Sequence, residues 1–111
     1  MAATPAELLQ KAKDRLIEKG WTRHDWGGDA GPNCTLGALI AEYGLLQPVT
    51  WDAPLYRNRF RAEHYLGEAV DNQGYSGRTI TSWNDECARD FNDVMALFDE
   101  ALALAKEDDR G

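Results

Sequence analysis

The stretch from Phe91 to Ala105 constrains this chain more than any other. Phe91, Val94, Met95, Phe98, Ala101, Leu102 and Ala105 recur at three- and four-residue intervals, so on a helix they fall within roughly 120° of one another, the width of a core-facing stripe. A helix of this kind gains most of its stability by packing that stripe against something else. The rest of the chain must therefore supply the partners.

It does so in three further segments. Thr4-Pro5-Ala6-Glu7 places a hydroxyl acceptor at the N-cap, proline at the first helical position and a reciprocating glutamate at the third. Leu8, Leu9, Ala12, Leu16 and Ile17 then form one apolar face, with Lys11, Lys13, Asp14, Arg15 and Glu18 on the other, and Lys19-Gly20 closes a helix over about 5–19. Asn33 is the expected cap of a second helix over about 34–43, with Leu36, Leu39, Ile40 and Tyr43 on its apolar face, small Gly37 and Ala38 allowing a close neighbour, and Gly44 as its stop. Phe60, Leu66 and Val70, with Tyr56 and Ala69 beside them, predict a third helix from Tyr56 to about Asp71, ended at Asn72-Gln73-Gly74. The last helix is expected to start between Trp83 and Ala88, capped by Ser82 or Asn84.

Four such helices predict an all-α fold, a compact four-helix domain with long, Trp-containing loops, spanning 1–111 as a single unit. With 111 residues, 43% hydrophobic, the chain has enough apolar surface for one shared core. Gly20–Asn33 is a fourteen-residue loop rich in glycine yet carrying Trp21 and Trp26. Loops of that length in small domains are uncommon and are often functional. A second connection, Leu45–Leu55, holds Pro48, Trp51 and Pro54 and reads as a crossover.

Charge and motifs narrow the function classes. The net charge is −7, which argues against direct nucleic-acid binding, because phosphate contacts need clustered Lys and Arg. From Asp85 onward there are nine acids against three bases, while residues 1–84 are nearly balanced. Glu86, Asp93, Glu100 and Glu107 are spaced by seven and lie opposite the apolar stripe if the last helix reaches back that far. No stretch has the length of a membrane span, and Met1–Gln10 lacks the character of a secretory signal, so a cytoplasmic protein is expected. Phosphate-binding glycine loops, dinucleotide fingerprints, zinc-protease and serine-hydrolase motifs are all missing. No cofactor is expected, and no metal, since a zinc site would have to enlist both cysteines and both widely separated histidines. Arg57, Arg59 and Arg61 read either as a small anion patch at the start of the third helix or, the stronger reading, as a solvated face pairing with nearby acids.

Two places could carry chemistry. Cys34, at the first turn of the second helix, would have its thiolate favoured by the helix N-terminus. With His64 or His24 as base and Asn84 or Asp85 as orienting group it would make a nucleophilic constellation; the competing reading is a small buried hydrophobe. Trp83-Asn84-Asp85 reads either as a helix cap or as a polar pair projecting into a site, and Cys87 reads as core. Trp21, Trp26, Trp51 and Trp83 either cover one end of the bundle or expose a hot spot for a partner.

Cys34-Thr35-Leu36-Gly37-Ala38-Leu39, followed by Ser82-Trp83-Asn84-Asp85 and a Leu/Phe/Ala-rich helix, resembles an uncharacterised family of small helical proteins from actinobacteria and their phages. The resemblance runs from Leu8-Leu9 and Gly20-Trp21-Thr22 to Ala101–Ala105, and Cys34, Gly37, Ala38, Trp83, Asn84 and Asp85 match its motifs. Members of that family often carry Trp before the Cys, where this chain has Asn33. The resemblance implies a family context without an activity. Together with the small size and the acidic helix, it leads to the expectation of a binding or regulatory protein, phage-encoded or phage-derived, acting on a protein partner. Trp26, Trp51, Trp83, Glu86, Asp93 and Glu100 are the candidate contact residues. The alternatives are a cysteine-dependent hydrolase or transferase using Cys34, His64, Asn84 and Asp85, and a nucleic-acid mimic built on the acidic row.

Overall fold

The first helix forms as its sequence dictates. In the computed structural model, which describes residues 2–28, 31–47 and 52–109, α1 spans Pro5–Lys19, and Thr4 and Glu7 cap it reciprocally. α2 spans Thr35–Leu46, α3 Ala53–Asn72, α4 the single turn Ile80–Ser82 and α5 Phe91–Asp109. Between α4 and α5, Trp83–Cys87 forms a π-helical turn, closed by the Ala88 N–H donating to the Trp83 carbonyl at 2.9 Å.

α1 packs against α2, α3 and α5, and α3 packs against α5 and α2. Leu8, Leu9, Leu16, Leu39, Leu66, Val70, Val94, Leu97 and Phe98 fill the space between them and are fully buried. The radius of gyration, 13.1 Å, equals the roughly 13 Å of a compact chain of this size. Among the described residues the fold is all-helical, as expected, but the expected four helices become five, with a π turn inserted before the last.

The differences have local causes. α2 is capped by Cys34, not Asn33: the Cys34 Sγ accepts the Gly37 N–H at 3.2 Å. The helix continues through Gly44 to Leu46. α3 begins three residues early because Asp52 caps it, accepting the Leu55 N–H at 3.0 Å, and Pro54 sits in the first turn, where its missing N–H costs nothing. Thr79, not Ser82 or Asn84, caps the segment before the π turn. The chain leaves helical geometry after Cys87, and Asp90 starts α5 by accepting the Asp93 N–H at 3.1 Å. Glu86 therefore lies on the π turn, outside the helix that carries Asp93 and Glu100, and Cys87 lies on that turn too, half-buried.

Packing also overrides some of the wheel. Arg15 belongs by pattern to the outer face but is buried, while Ile17 on the expected apolar face is 60% exposed. Tyr56 and Phe60 stand exposed on α3, where Arg59 lies over both rings and over Tyr43. Among the described residues no helix is long and apolar enough to cross a membrane.

Candidate functional site

The long first loop is built into the body by buried polar groups. Its two ends are bonded together: the Thr22 N–H donates to the Asn33 carbonyl at 3.0 Å, and the Asn33 N–H to the Gly20 carbonyl at 3.1 Å. From α1, the Arg15 Nε donates to Asn33 Oδ1 at 2.9 Å and its Nη1 to Glu42 of α2 at 2.8 Å. The Asn33 amide in turn donates to the carbonyls of Trp26 and Gly28, each at 2.8 Å. Arg15 thus reaches through one buried asparagine to the tip of the loop.

Gly37 makes the close approach possible. A Cβ there would stand 2.2 Å from the Trp26 carbonyl oxygen and 2.9 Å from its Cα, so the loop backbone lies directly on α2. Gly27 serves the same purpose inside the loop: its φ is +93°, and a Cβ would fall 1.8 Å from the Pro32 carbonyl oxygen.

The π turn holds the other side. Asn84 is fully buried, and its Oδ1 accepts from the Trp21 indole N–H at 2.7 Å, the Thr35 N–H at 2.9 Å and the Thr35 hydroxyl at 2.7 Å. An indole and a backbone amide can only donate, which sets the orientation of the side chain. Its Nδ2 then donates to the Thr22 carbonyl at 3.2 Å and to Asp85 Oδ1 at 2.9 Å. Trp83 is 1% exposed and joins the core, so the side chain expected as a hot spot instead anchors the π turn. That turn, closed over five residues and so one residue wider than regular α-helix, places Trp83 in the core and Asn84 and Asp85 against the loop; such insertions recur at functional sites.

Beside this scaffold lies a cavity of about 190 Å³ lined by His24, Asp25, Trp26, Cys34, Ile40 and Asp85, with Leu36, Gly37 and Thr81 in its wall. His24 adopts a left-handed φ of +64°, and its N–H donates to Asp85 Oδ1 at 2.8 Å. Its Nδ1 stands 3.6 Å from Asp85 Oδ2. Burial pushes the Asp85 carboxyl up, but the His24 N–H, the Asn84 amide and the charges of His24 and Arg23 outweigh it and hold the group below its ordinary value. Asp85 is therefore a carboxylate at neutral pH.

Cys34 faces the opposite balance. Burial pushes its thiol up, the Asp85 charge adds to this, and the backbone N–H groups of Gly37 and Leu36 offset only part of it. Its sulfur is engaged as the cap of α2.

The expected site residues divide as follows. Cys34 and Asp85 line the cavity, and the histidine beside them is His24. His64 lies on the exposed face of α3, 3.8 Å from Glu68, and lines a different opening with Arg78 and Thr79. Asn84 stands behind the cavity as a structural hub. Trp26 is 48% exposed at the cavity edge, and Trp51 lies outside the described residues. The acidic row is dispersed: Glu86 pairs with Arg78 at 2.7 Å and Asp93 with Arg89 at 3.1 Å. Glu100 is half-buried, and its Oε2 has no hydrogen-bond partner among the described residues.

Sequence reading missed Arg15, Asn33, Thr35 and Glu42 as holders of the site, and their only signal was a long glycine-rich loop with large aromatics in it. Among the described residues no three His, Cys, Asp or Glu side chains form a metal-ligating group. Neither a curated protein nor a solved structure matches the chain. A family model matches residues 1–104, and by it the chain belongs to a family of unknown function, DUF6197.

Proposed function

We propose that this chain is a small binding or regulatory protein, of phage or phage-derived origin as its motif resemblance implies, that engages a protein partner through the first loop. The observation that carries this reading is Trp26. A tryptophan nearly half exposed is held in one place by its own carbonyl, bonded to Asn33, and by backbone contact with Gly37. Exposed side chains on loops that a rigid scaffold positions are favoured contact elements, and tryptophan is prominent among interface hot spots. Much of the buried polar structure of the molecule serves to hold this loop, which a merely solvated connection would not need.

The test is capture of partners from a lysate of the cells that encode the protein, using tagged wild type, Trp26→Ala and the triple variant Glu86→Gln, Asp93→Asn, Glu100→Gln. A stoichiometric partner should be retained by wild type and the triple variant. Trp26→Ala should weaken it by about 2 kcal/mol or more, roughly thirty-fold, as loss of a hot-spot tryptophan does. Loss in the triple variant alone, with steep salt dependence, would replace this reading with the acidic mimic.

A second reading has one observation in its favour: Cys34, His24 and Asp85 line the same cavity. A thiol-dependent hydrolase or transferase would use them as nucleophile, base and orienting group. The raised, capped thiol weighs against it.

A further inference from the structure

The cavity beside Trp26 has a size and a polarity that specify its occupant. At about 190 Å³ it falls below the roughly 300 Å³ at which drug-sized ligand pockets begin, and it is close to the about 150 Å³ cavity that holds a single benzene. It accepts one side chain. Its lining is mainly apolar, with Leu36, Ile40, Gly37 and Cys34 contributing, and it also includes the carboxylate residues Asp25 and Asp85 and the hydroxyl residue Thr81.

Asp85 keeps an open acceptor. Its Oδ1 takes the His24 and Asn84 donors, but its Oδ2 accepts no hydrogen bond among the described residues, with His24 Nδ1 3.6 Å away. Arg23, whose charge reaches Asp85, does not line the cavity. Its guanidinium is stacked 4.5 Å from the Trp21 ring and donates to the carbonyls of Ala88 and Arg89. The lining thus combines two carboxylates with mainly apolar surface.

We infer that this cavity receives a cationic side chain with an aliphatic stem, a lysine of the protein partner, whose methylenes lie against Leu36 and Ile40 while its ammonium meets Asp85 and Asp25. This rests on the reading of the loop as the docking face and names the chemistry of what enters it. A long cationic side chain buries its stem on apolar surface while keeping its charge at a polar edge, which is the division this cavity offers.

The probe is n-butylammonium, titrated against n-butanol and n-butyrate while the backbone amides of His24 and Gly37 and the Trp26 indole are followed by NMR. Butylammonium should saturate these shifts at a concentration about fivefold lower than butanol, as a charge contact worth about 1 kcal/mol near water would give. Butyrate should leave them unmoved. Asp85→Asn should remove the preference, and Asp25→Asn, which leaves the bonds of Asp85 in place, should reduce it. Equal titration by amine and alcohol, or a preference that survives both variants, overturns the inference. If the preference fails while Trp26→Ala still loses the partner, the lysine is wrong and the docking face stands. If the preference holds while partner capture ignores Trp26, the docking face fails and the cavity is a site for a small cation.

Discussion

Cys34 does two things that pull against nucleophilic reactivity. Its sulfur is the acceptor that begins α2, and its burial raises the energy of the thiolate. Reactive cysteines sit in exposed, electropositive surroundings, and inert ones are buried. Cys87, half-buried on the π turn, is the more accessible of the two. Iodoacetamide at neutral pH should therefore modify Cys87 well before Cys34, with the order read by mass spectrometry of the peptides. Rapid, selective modification of Cys34 would contradict the structure and restore the thiol mechanism.

At the scale of elements, the decisive contact is between α2 and the first loop. Gly37→Ala places a methyl against the backbone of Trp26, which no rotamer change relieves. It should destabilise the protein by about 1–3 kcal/mol, the usual cost of overpacking, and should shift Trp26 fluorescence as the loop is displaced. Gly67, inside α3, is the control: a Cβ there meets nothing within 4 Å. Gly67→Ala should stabilise by about 0.5–1 kcal/mol, the difference in helical cost between the two residues. Denaturant titration of both variants checks the pair, and equal effects would mean that the loop does not rest on α2 as described.

For the molecule as a whole, the loop, the π turn and the cavity are one electrostatic unit, and acid should release it. Asp85 within this unit, and Asp93 beside Arg89 on α5, are both held below the ordinary carboxylate value of 3.8. The folded state thus binds fewer protons than the unfolded state in this range. The stability they contribute is complete above that value and disappears as the pH falls through their lowered values. Denaturation of wild type and Asp85→Asn should give curves that are apart at about pH 5 and converge toward about pH 2. A gap that stays constant across this range would show that the charge of Asp85 does nothing for the fold.

The local rules acted on α1 almost without interference, because its cap, its proline and its glycine stop all lie within the segment they govern. The stripe of α5 was legible for the same reason. Cys34 and Asp85 stood out in the sequence by residue type alone; that they line one cavity came from the fold. The start of α5 was not legible, because the π turn exists to satisfy partners distant in sequence: Trp83 needs the core, and Asn84 needs Trp21 and Thr35. Arg15 read as surface because a wheel records position and is blind to a buried asparagine and a half-buried glutamate on other segments that can satisfy a guanidinium. Choosing His24 over His64 required knowing which loop folds back onto α2. Sequence by itself therefore determined the helices, whose hydrogen bonds close within four residues. The site was decided only by tertiary structure, since its polar groups find partners across the chain and are stable in the interior only once all of them have met.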